Sequence, residues 1–253
     1  MGTGPDLLAQ FTALEVATVS DALDACGLPP GQGGLRPMWG RPTVAGFAVT
    51  VELEPLSDPP DAEPGMEHGG AHILTEAIAG AGPEDVIVVA NGGRTDVSSW
   101  GGIVSVGAAL RSVRGVITDG ACRDVGQARE LGFPVFARAP VPVTARGRLR
   151  QKSVGEPVVV GAVTVCPGDV VMADEDGIVV VPRERAAEVL GAWPTAKPRS
   201  RRRYGAESRC RRRCGTPAWP ERRRRDGPRC QVRAGEPAGR RRGSRGRRGR
   251  ARR

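Results

Sequence analysis

Val86-Ile-Val-Val-Ala90, Asn91-Gly-Gly-Arg94, Trp100-Gly-Gly-Ile-Val-Ser105 and Gly115-Val-Ile-Thr-Asp-Gly-Ala-Cys-Arg-Asp124 follow one another in the middle of this 253-residue chain. Val86–Ala90 is an unbroken apolar run of strand length, the pattern of a strand buried on both faces of a parallel sheet. The Gly-rich turn after it leads to a predicted helix from about Gly102 to Val113, with Ile103, Val106, Ala109 and Leu110 at helical spacing. Gly115–Asp119 reads as a second strand, Arg123–Leu131 as a short helix and Pro134–Ala137 as a third strand. This β-α-β-α-β alternation predicts an α/β fold with a sheet covered on both faces. In such folds chemistry gathers where strand C-terminal ends meet helix N-termini.

Outward from this centre the pattern holds on both sides. Asp6–Cys26 carries apolar positions at near-helical spacing and is expected to form two helices, broken near Val16–Thr18. Thr18 or Ser20 would cap the second, and Gly27 would stop it. Thr43–Leu53 is β-branched and partly alternating, hence a strand. Ser57–Gly65 reads as a loop and Met66–Ala81 as a helix. On the other side Val158–Val165, Asp169–Ala173 and Ile178–Val181 read as short strands separated by turns at 166–169 and 174–177. Arg183–Leu190 is expected to be a closing helix.

The net charge of +10 hides a split. Residues 198–253 hold 23 Arg, no Lys and 4 acidic residues, whereas residues 1–197 hold 15 basic and 24 acidic ones. An acidic domain, 1–197, is therefore followed by an Arg-rich segment, 198–253, with no apolar periodicity, which reads as a disordered basic tail. Three origins compete for it: a nucleic-acid arm, a solvated tail, and a GC-rich coding sequence read out of frame, the last favoured by the absence of Lys. Any nucleic-acid binding is expected only through this tail. No apolar run approaches the ~20 residues of a membrane span, and Met1–Asp6 lacks the pattern of a secretory leader. Cys26, Cys122 and Cys166 lack metal-ligand spacing and read as reduced thiols of a cytoplasmic protein. Cys210, Cys214 and Cys230 lack a fourth ligand.

Two segments carry candidate chemistry. Gly101-Gly102 opens a helix whose free N–H groups suit a carboxylate or phosphate, and glycine lets an anion approach the backbone closely. Arg123 offers a planar fork for a carboxylate or keto oxygen, and Asp124 offers hard oxygen to a divalent cation. His68 and His72, four apart, would share a helix face, but no third ligand accompanies them. Asp174 and Asp176 read as turn formers.

The order of these pieces resembles the RraA-like family, which includes the class II 4-hydroxy-4-methyl-2-oxoglutarate aldolases and the regulators of RNase E activity. The resemblance is carried by Val19-Ser-Asp-Ala-Leu23, Val44-Ala-Gly-Phe-Ala-Val-Thr50, Trp100-Gly-Gly-Ile-Val104 and Gly115–Asp124. It continues through Phe133-Pro-Val-Phe136, Pro167-Gly-Asp169 and Ala173–Pro182, covering roughly residues 7 to 192. It implies a swivelling β/β/α sandwich, assembled as a homotrimer or hexamer with sites near subunit interfaces. It further implies that main-chain groups of Gly101, Gly102, Ile103 and Val104 hold the pyruvate end of a small 2-oxo acid substrate. Arg123 would bind its carboxylate or keto oxygen, and Asp124 would anchor Mg²⁺ or Mn²⁺. Two positions depart from the family pattern: Gln127 replaces an acidic residue, and Gly102 stands where Glu is frequent.

The expected activity is metal-dependent cleavage of 4-hydroxy-4-methyl-2-oxoglutarate or 4-carboxy-4-hydroxy-2-oxoadipate to pyruvate, with oxaloacetate decarboxylation beside it. Lys152 and Lys197 are the only lysines and lie outside these motifs, which favours a metal over an imine route. The alternative is a non-catalytic trimeric regulator of an RNase E-type ribonuclease.

Overall fold

Val86–Ala90, Gly115–Thr118, Val170–Ala173 and Ile178–Val181 bury both faces, and alternate residues go to different layers. The computed structural model describes residues 7–56 and 73–192. In order, the elements are α1 (Leu7–Thr12), α2 (Val16–Ala25), β1 (Arg36–Pro37), β2 (Val44–Pro55), α3 (Thr75–Gly80), β3 (Asp85–Ala90), β4 (Ser98–Trp100) and α4 (Gly102–Leu110). They continue with β5 (Gly115–Thr118), β6 (Ala121–Cys122), α5 (Val125–Glu130), β7 (Val135–Ala137), β8 (Ala139–Pro140), β9 (Leu149–Val154), β10 (Val158–Val160) and β11 (Val163–Val165). β12 (Val170–Ala173), β13 (Ile178–Val181), a 3-10 turn (Arg183–Arg185) and α6 (Ala186–Gly191) complete the described domain.

The main sheet runs β1-β7-β5-β3-β2-β12-β13, with β9 also paired to the long strand β2. Its centre, β7-β5-β3-β2, is parallel, and β1, β9, β12 and β13 add to it antiparallel. Val86, Val88 and Ala90 of β3 pack with Val158, Val160, Val163 and Val165 of the β10–β11 hairpin. Ile87 and Val89, between them, pack with Ala77 of α3 and with Val104 and Ala108 of α4. The same alternation sends Val171 and Ala173 of β12 to the hairpin, and Val170 and Met172 to Leu8, Phe11, Val19, Leu23 and Val189 of the terminal helices. Hairpin, sheet and helices thus form a β/β/α sandwich, and side chains two residues apart share a layer because the strand period is two. Each fully buried Val, Leu or Ile adds roughly 1.5–3 kcal/mol.

Several sequence expectations change at element ends. The helix expected to Val113 stops at Leu110, because Ser112 turns left-handed at φ 60° and Val113 donates back to the Ala108 carbonyl. The helix expected from Arg123 begins at Val125, because Asp124 is itself left-handed. The single strand expected over Val158–Val165 is a hairpin, turning at Gly161 with φ 63°. Neither Thr18 nor Ser20 caps α2; the chain breaks at Ala13–Glu15, and the Val16 N–H donates to Asp174 Oδ2 at 3.1 Å, 158 residues away. Of the helix expected over Met66–Ala81, Thr75–Gly80 is helical. Ser57–Gly65, His68, His72, the boundary at Lys197 and the Arg-rich tail lie outside the described residues. Among those described, no helix is long and apolar enough to cross a membrane.

Candidate active site

Three parallel strands of the main sheet each lead into a short strand of a second one. β3 is followed by β4, β5 by β6 and β7 by β8, and β4-β6-β8 form their own parallel sheet. Trp100 is register partner of Cys122, and Cys122 of Pro140. The residues after each short strand therefore emerge side by side: Gly101-Gly102, Arg123-Asp124 and Val141-Pro142. Arg123, Asp124, Val125, Pro140, Val141 and Pro142 line an open cleft of about 620 Å³. Gly101–Val104 do not line it directly; they meet it through Asp124.

Asp124 reaches across this junction. Its Oδ2 accepts the Gly102 N–H at 2.9 Å and Arg123 Nε–H at 3.1 Å. Its backbone sits at φ 57°, ψ 36°, a left-handed conformation that Asp tolerates better than most residues. The Arg123 N–H donates to the Trp100 carbonyl at 2.9 Å, which clamps the two motifs together. The Gly102 N–H foremost, and then the Arg123 guanidinium, hold the Asp124 carboxyl below the usual carboxylate range, against an opposing effect of burial. The carboxylate so stabilised supplies α4 with the cap its own sequence lacks, since Gly101 has no side chain to do so. Both side chains of the ion pair remain over a third exposed.

At both glycines a side chain would crowd its neighbours. A Cβ on Gly101 would lie 3.2 Å from both Arg123 Cγ and Asp124 Oδ2. A Cβ on Gly102 would overlap the amide oxygen of Gln127. The Gln127 side chain thus fills the space that a side chain at 102 would take. Ile103 is exposed and Val104 is buried in the core.

Sequence reasoning missed the groups that support these motifs from behind. Trp100 stacks on Phe133 with ring centroids 6.1 Å apart, and its Nε1–H donates to Ser105 Oγ at 2.8 Å. Ser105 Oγ–H donates in turn to the Gly101 carbonyl at 2.9 Å. Ser99 Oγ meets Thr118 Oγ1 at 2.7 Å, joining β4 to β5. Asp119 accepts the Asn91 and Gly93 N–H groups at 2.6 and 3.1 Å, pinning the Gly-rich turn. The signal available in the sequence was a set of polar residues inside apolar runs. Cys122 lies beneath the pair, buried; burial, with help from the Asp124 charge, pushes its thiol up to about 12.

The donor set for a metal is sparse. Among the described residues no three His, Cys, Asp or Glu side chains gather. Asp124 is the single carboxylate lining the cleft, and the Gln127 amide oxygen stands over the same helix end. Such hard oxygen donors fit Mg²⁺, which binds through one or two protein oxygens and keeps several waters; they do not fit a metal needing a full protein cage. Asp174 accepts the Asp176 and Val16 N–H groups, a structural role consistent with its turn.

A β/β/α sandwich with an Arg–Asp pair at a glycine-opened helix end defines the class of the protein, a mixed α/β domain. The chain belongs to the RraA-like family, whose model, described as Aldolase/RraA, matches residues 16–180. It is 30% identical over 188 residues to Protein DlpA of Legionella pneumophila, a match covering 74% of this chain and 29% of that protein, so the chain spans less than a third of that relative. It is 29% identical over 185 residues to a protein of Halalkalibacterium halodurans named "Putative 4-hydroxy-4-methyl-2-oxoglutarate aldolase", covering 73% of this chain and 80% of that one. Among solved structures it is similar to Streptomyces coelicolor RraAS2, titled an unusual member of the RNase ES inhibitor RraA protein family. That match has a TM-score of 0.66 and 26% identity, covering 75% of this chain and 92% of RraAS2.

Proposed function

We propose that this chain is a divalent-metal-dependent carbon–carbon lyase that cleaves 4-hydroxy-4-methyl-2-oxoglutarate, or 4-carboxy-4-hydroxy-2-oxoadipate, to pyruvate, with oxaloacetate decarboxylation as a side activity. The observation that carries this reading is the Arg123–Asp124 pair seated on the amino end of α4, at the mouth of a cleft. Aldolase names among the relatives support the reaction class.

Arg123 presents its planar guanidinium to the cleft and binds the carboxylate or keto oxygen of a 2-oxo acid. The N–H groups at the start of α4 receive the other end of the same oxoacid, since the first turn of a helix has no internal acceptors. As the carbon–carbon bond breaks, negative charge develops on the pyruvate fragment, and Arg123 meets it in place; such fixed donors contribute about 2.7–4 kcal/mol each. Asp124, with waters and the Gln127 amide oxygen, would hold Mg²⁺ or Mn²⁺, which supplies Lewis-acid polarisation of the keto oxygen. Lys152 is bound to Glu52 at 2.9 Å on β9, away from the cleft, which leaves no imine-forming lysine among the described residues lining it.

Asp124→Ala tests the reading in a lactate-dehydrogenase-coupled assay for pyruvate, with and without EDTA. Loss of metal-dependent release is expected; turnover equal to wild type at saturating Mg²⁺ sinks the metal assignment. We further propose a homotrimer or hexamer, supported by Ile103 and Leu110, which α4 exposes at 77% and 82%.

A second reading, a regulator of an RNase E-type ribonuclease, draws on the RraAS2 likeness and on Gln127 in place of an acid. A chain that releases no pyruvate with any divalent ion, yet inhibits such a ribonuclease, decides for it.

A further inference from the structure

Pro140, Val141 and Pro142 form a wall of the cleft, on the side of the Arg123–Asp124 pair away from α4. The wall is fixed at both ends. The Val141 N–H donates to the Cys122 carbonyl at 2.8 Å, and the Val143 carbonyl accepts the Ser98 N–H at 3.0 Å. It is also poor in donors. The two prolines have no N–H, and the one amide between them is already given to Cys122. Val125 adds another apolar side chain to the lining, and among the described residues Arg123 is the only cation there. The wall therefore offers an anion neither charge nor hydrogen bond, while it offers an alkyl group apolar surface.

Strands β4, β6 and β8 are neighbours in one sheet, each about 4.8 Å from the next. A 2-oxo acid held by Arg123 and the start of α4 lays its first carbons over β4 and β6, which carries its C4 toward β8. The two oxoacids proposed as substrates differ only in one substituent on that carbon. It is a methyl in 4-hydroxy-4-methyl-2-oxoglutarate and a carboxymethyl in 4-carboxy-4-hydroxy-2-oxoadipate.

We propose that the Pro140–Val141–Pro142 wall makes this chain select the methyl-bearing oxoacid, by receiving the C4 methyl and rejecting the carboxymethyl group. This rests on the site and reaction proposed above and names which of the two substrates they serve. In both oxoacids the C3–C4 bond breaks and its electron pair stays on C3, which is then protonated. The C4 hydroxyl gives up its proton and becomes a carbonyl. The methyl-bearing oxoacid thus yields two pyruvates, and the other yields pyruvate and oxaloacetate. A carboxymethyl group pressed on the wall loses water without gaining a partner. Turned to solvent instead, it leaves the wall uncovered and forfeits the apolar contact.

The test uses the full chain with Mg²⁺ and both oxoacids, the initial loss of each being followed by chromatography. The wild type is expected to show a kcat/KM at least about fourfold higher for the methyl-bearing oxoacid, the effect of burying one methylene-sized group. A smaller preference, or a reversed one, overturns the selection and leaves the site standing; this arm needs no variant. Val141→Lys puts a cation on the wall. It is expected to cut the preference at least about fourfold, mainly by lowering KM for the carboxymethyl oxoacid. A folded Val141→Lys that keeps the wild-type preference overturns the role of the wall. If the wild type cleaves neither oxoacid with any divalent ion, the site reading fails and the selection with it.

Discussion

Trp100 and Cys122 face each other across the β4–β6 ladder, and the Arg123 N–H that follows donates to the Trp100 carbonyl at 2.9 Å. This one pairing brings two motifs more than twenty residues apart into a single site. Gly101-Gly102 leaves β4 where Arg123-Asp124 leaves β6, so the acid and the helix end meet without a long loop.

Arg123→Lys keeps the charge but loses the planar fork and the Nε–H that touches Asp124. Its kcat/KM for pyruvate release is expected to fall by about 10²–10³-fold, the usual effect of losing one fixed donor to developing negative charge. The coupled dehydrogenase assay measures it, and a fall of less than about threefold would remove Arg123 from the reaction.

Ser105→Ala removes the acceptor of the buried Trp100 indole N–H and the donor to the Gly101 carbonyl. Both residues are almost fully buried, so no water takes over. Leaving a buried donor unpaired costs about 1–3 kcal/mol. A lower urea midpoint, followed by tryptophan fluorescence, is the expected outcome, with an unchanged slope.

Cys122 and Cys166 are expected to separate sharply in alkylation. Burial raises the Cys122 thiol to about 12, whereas Cys166 is exposed. A raised thiol remains protonated as pH climbs past its ordinary value. The stability tied to that neutral form is therefore complete below the ordinary value of about 8.5 and drains away as pH rises toward the raised one. Peptide mass mapping after iodoacetamide at mildly alkaline pH is expected to show Cys166 modified and Cys122 spared until the chain is unfolded.

Leu110→Glu places a charge on the exposed side of α4, seven residues from Ile103 and so on the same helix face. Sedimentation is expected to show the wild type as a trimer or hexamer and the variant as a smaller species. An unchanged mass in both would exclude this face as the contact.

How much was legible in advance follows from where each signal resides. The runs Val86–Ala90, Gly115–Thr118, Val170–Ala173 and Ile178–Val181 announced their strands because burial on both faces favours a nearly unbroken apolar run. The Gly-Gly pair and the Arg-Asp pair were visible as chemistry, and their residue types suggested an anion and a cation. Strands β4, β6 and β8, two or three residues each, were not visible, since so short a segment has no period to read. Without them nothing said that the pairs were neighbours, nor that Gln127 fills the space over Gly102. The capping of α2 by Asp174 was hidden for the same reason, since a bond spanning 158 residues leaves no local trace.

The amino-acid sequence by itself determined the layers of this protein, the family pattern and the residue types available for chemistry, because apolar periodicity acts within a few residues. Only the tertiary structure decided that the Asp124 carboxylate lies on the Gly102 amide, since that contact depends on strand pairing, a left-handed backbone and the absence of a Cβ, acting together from separate parts of the chain.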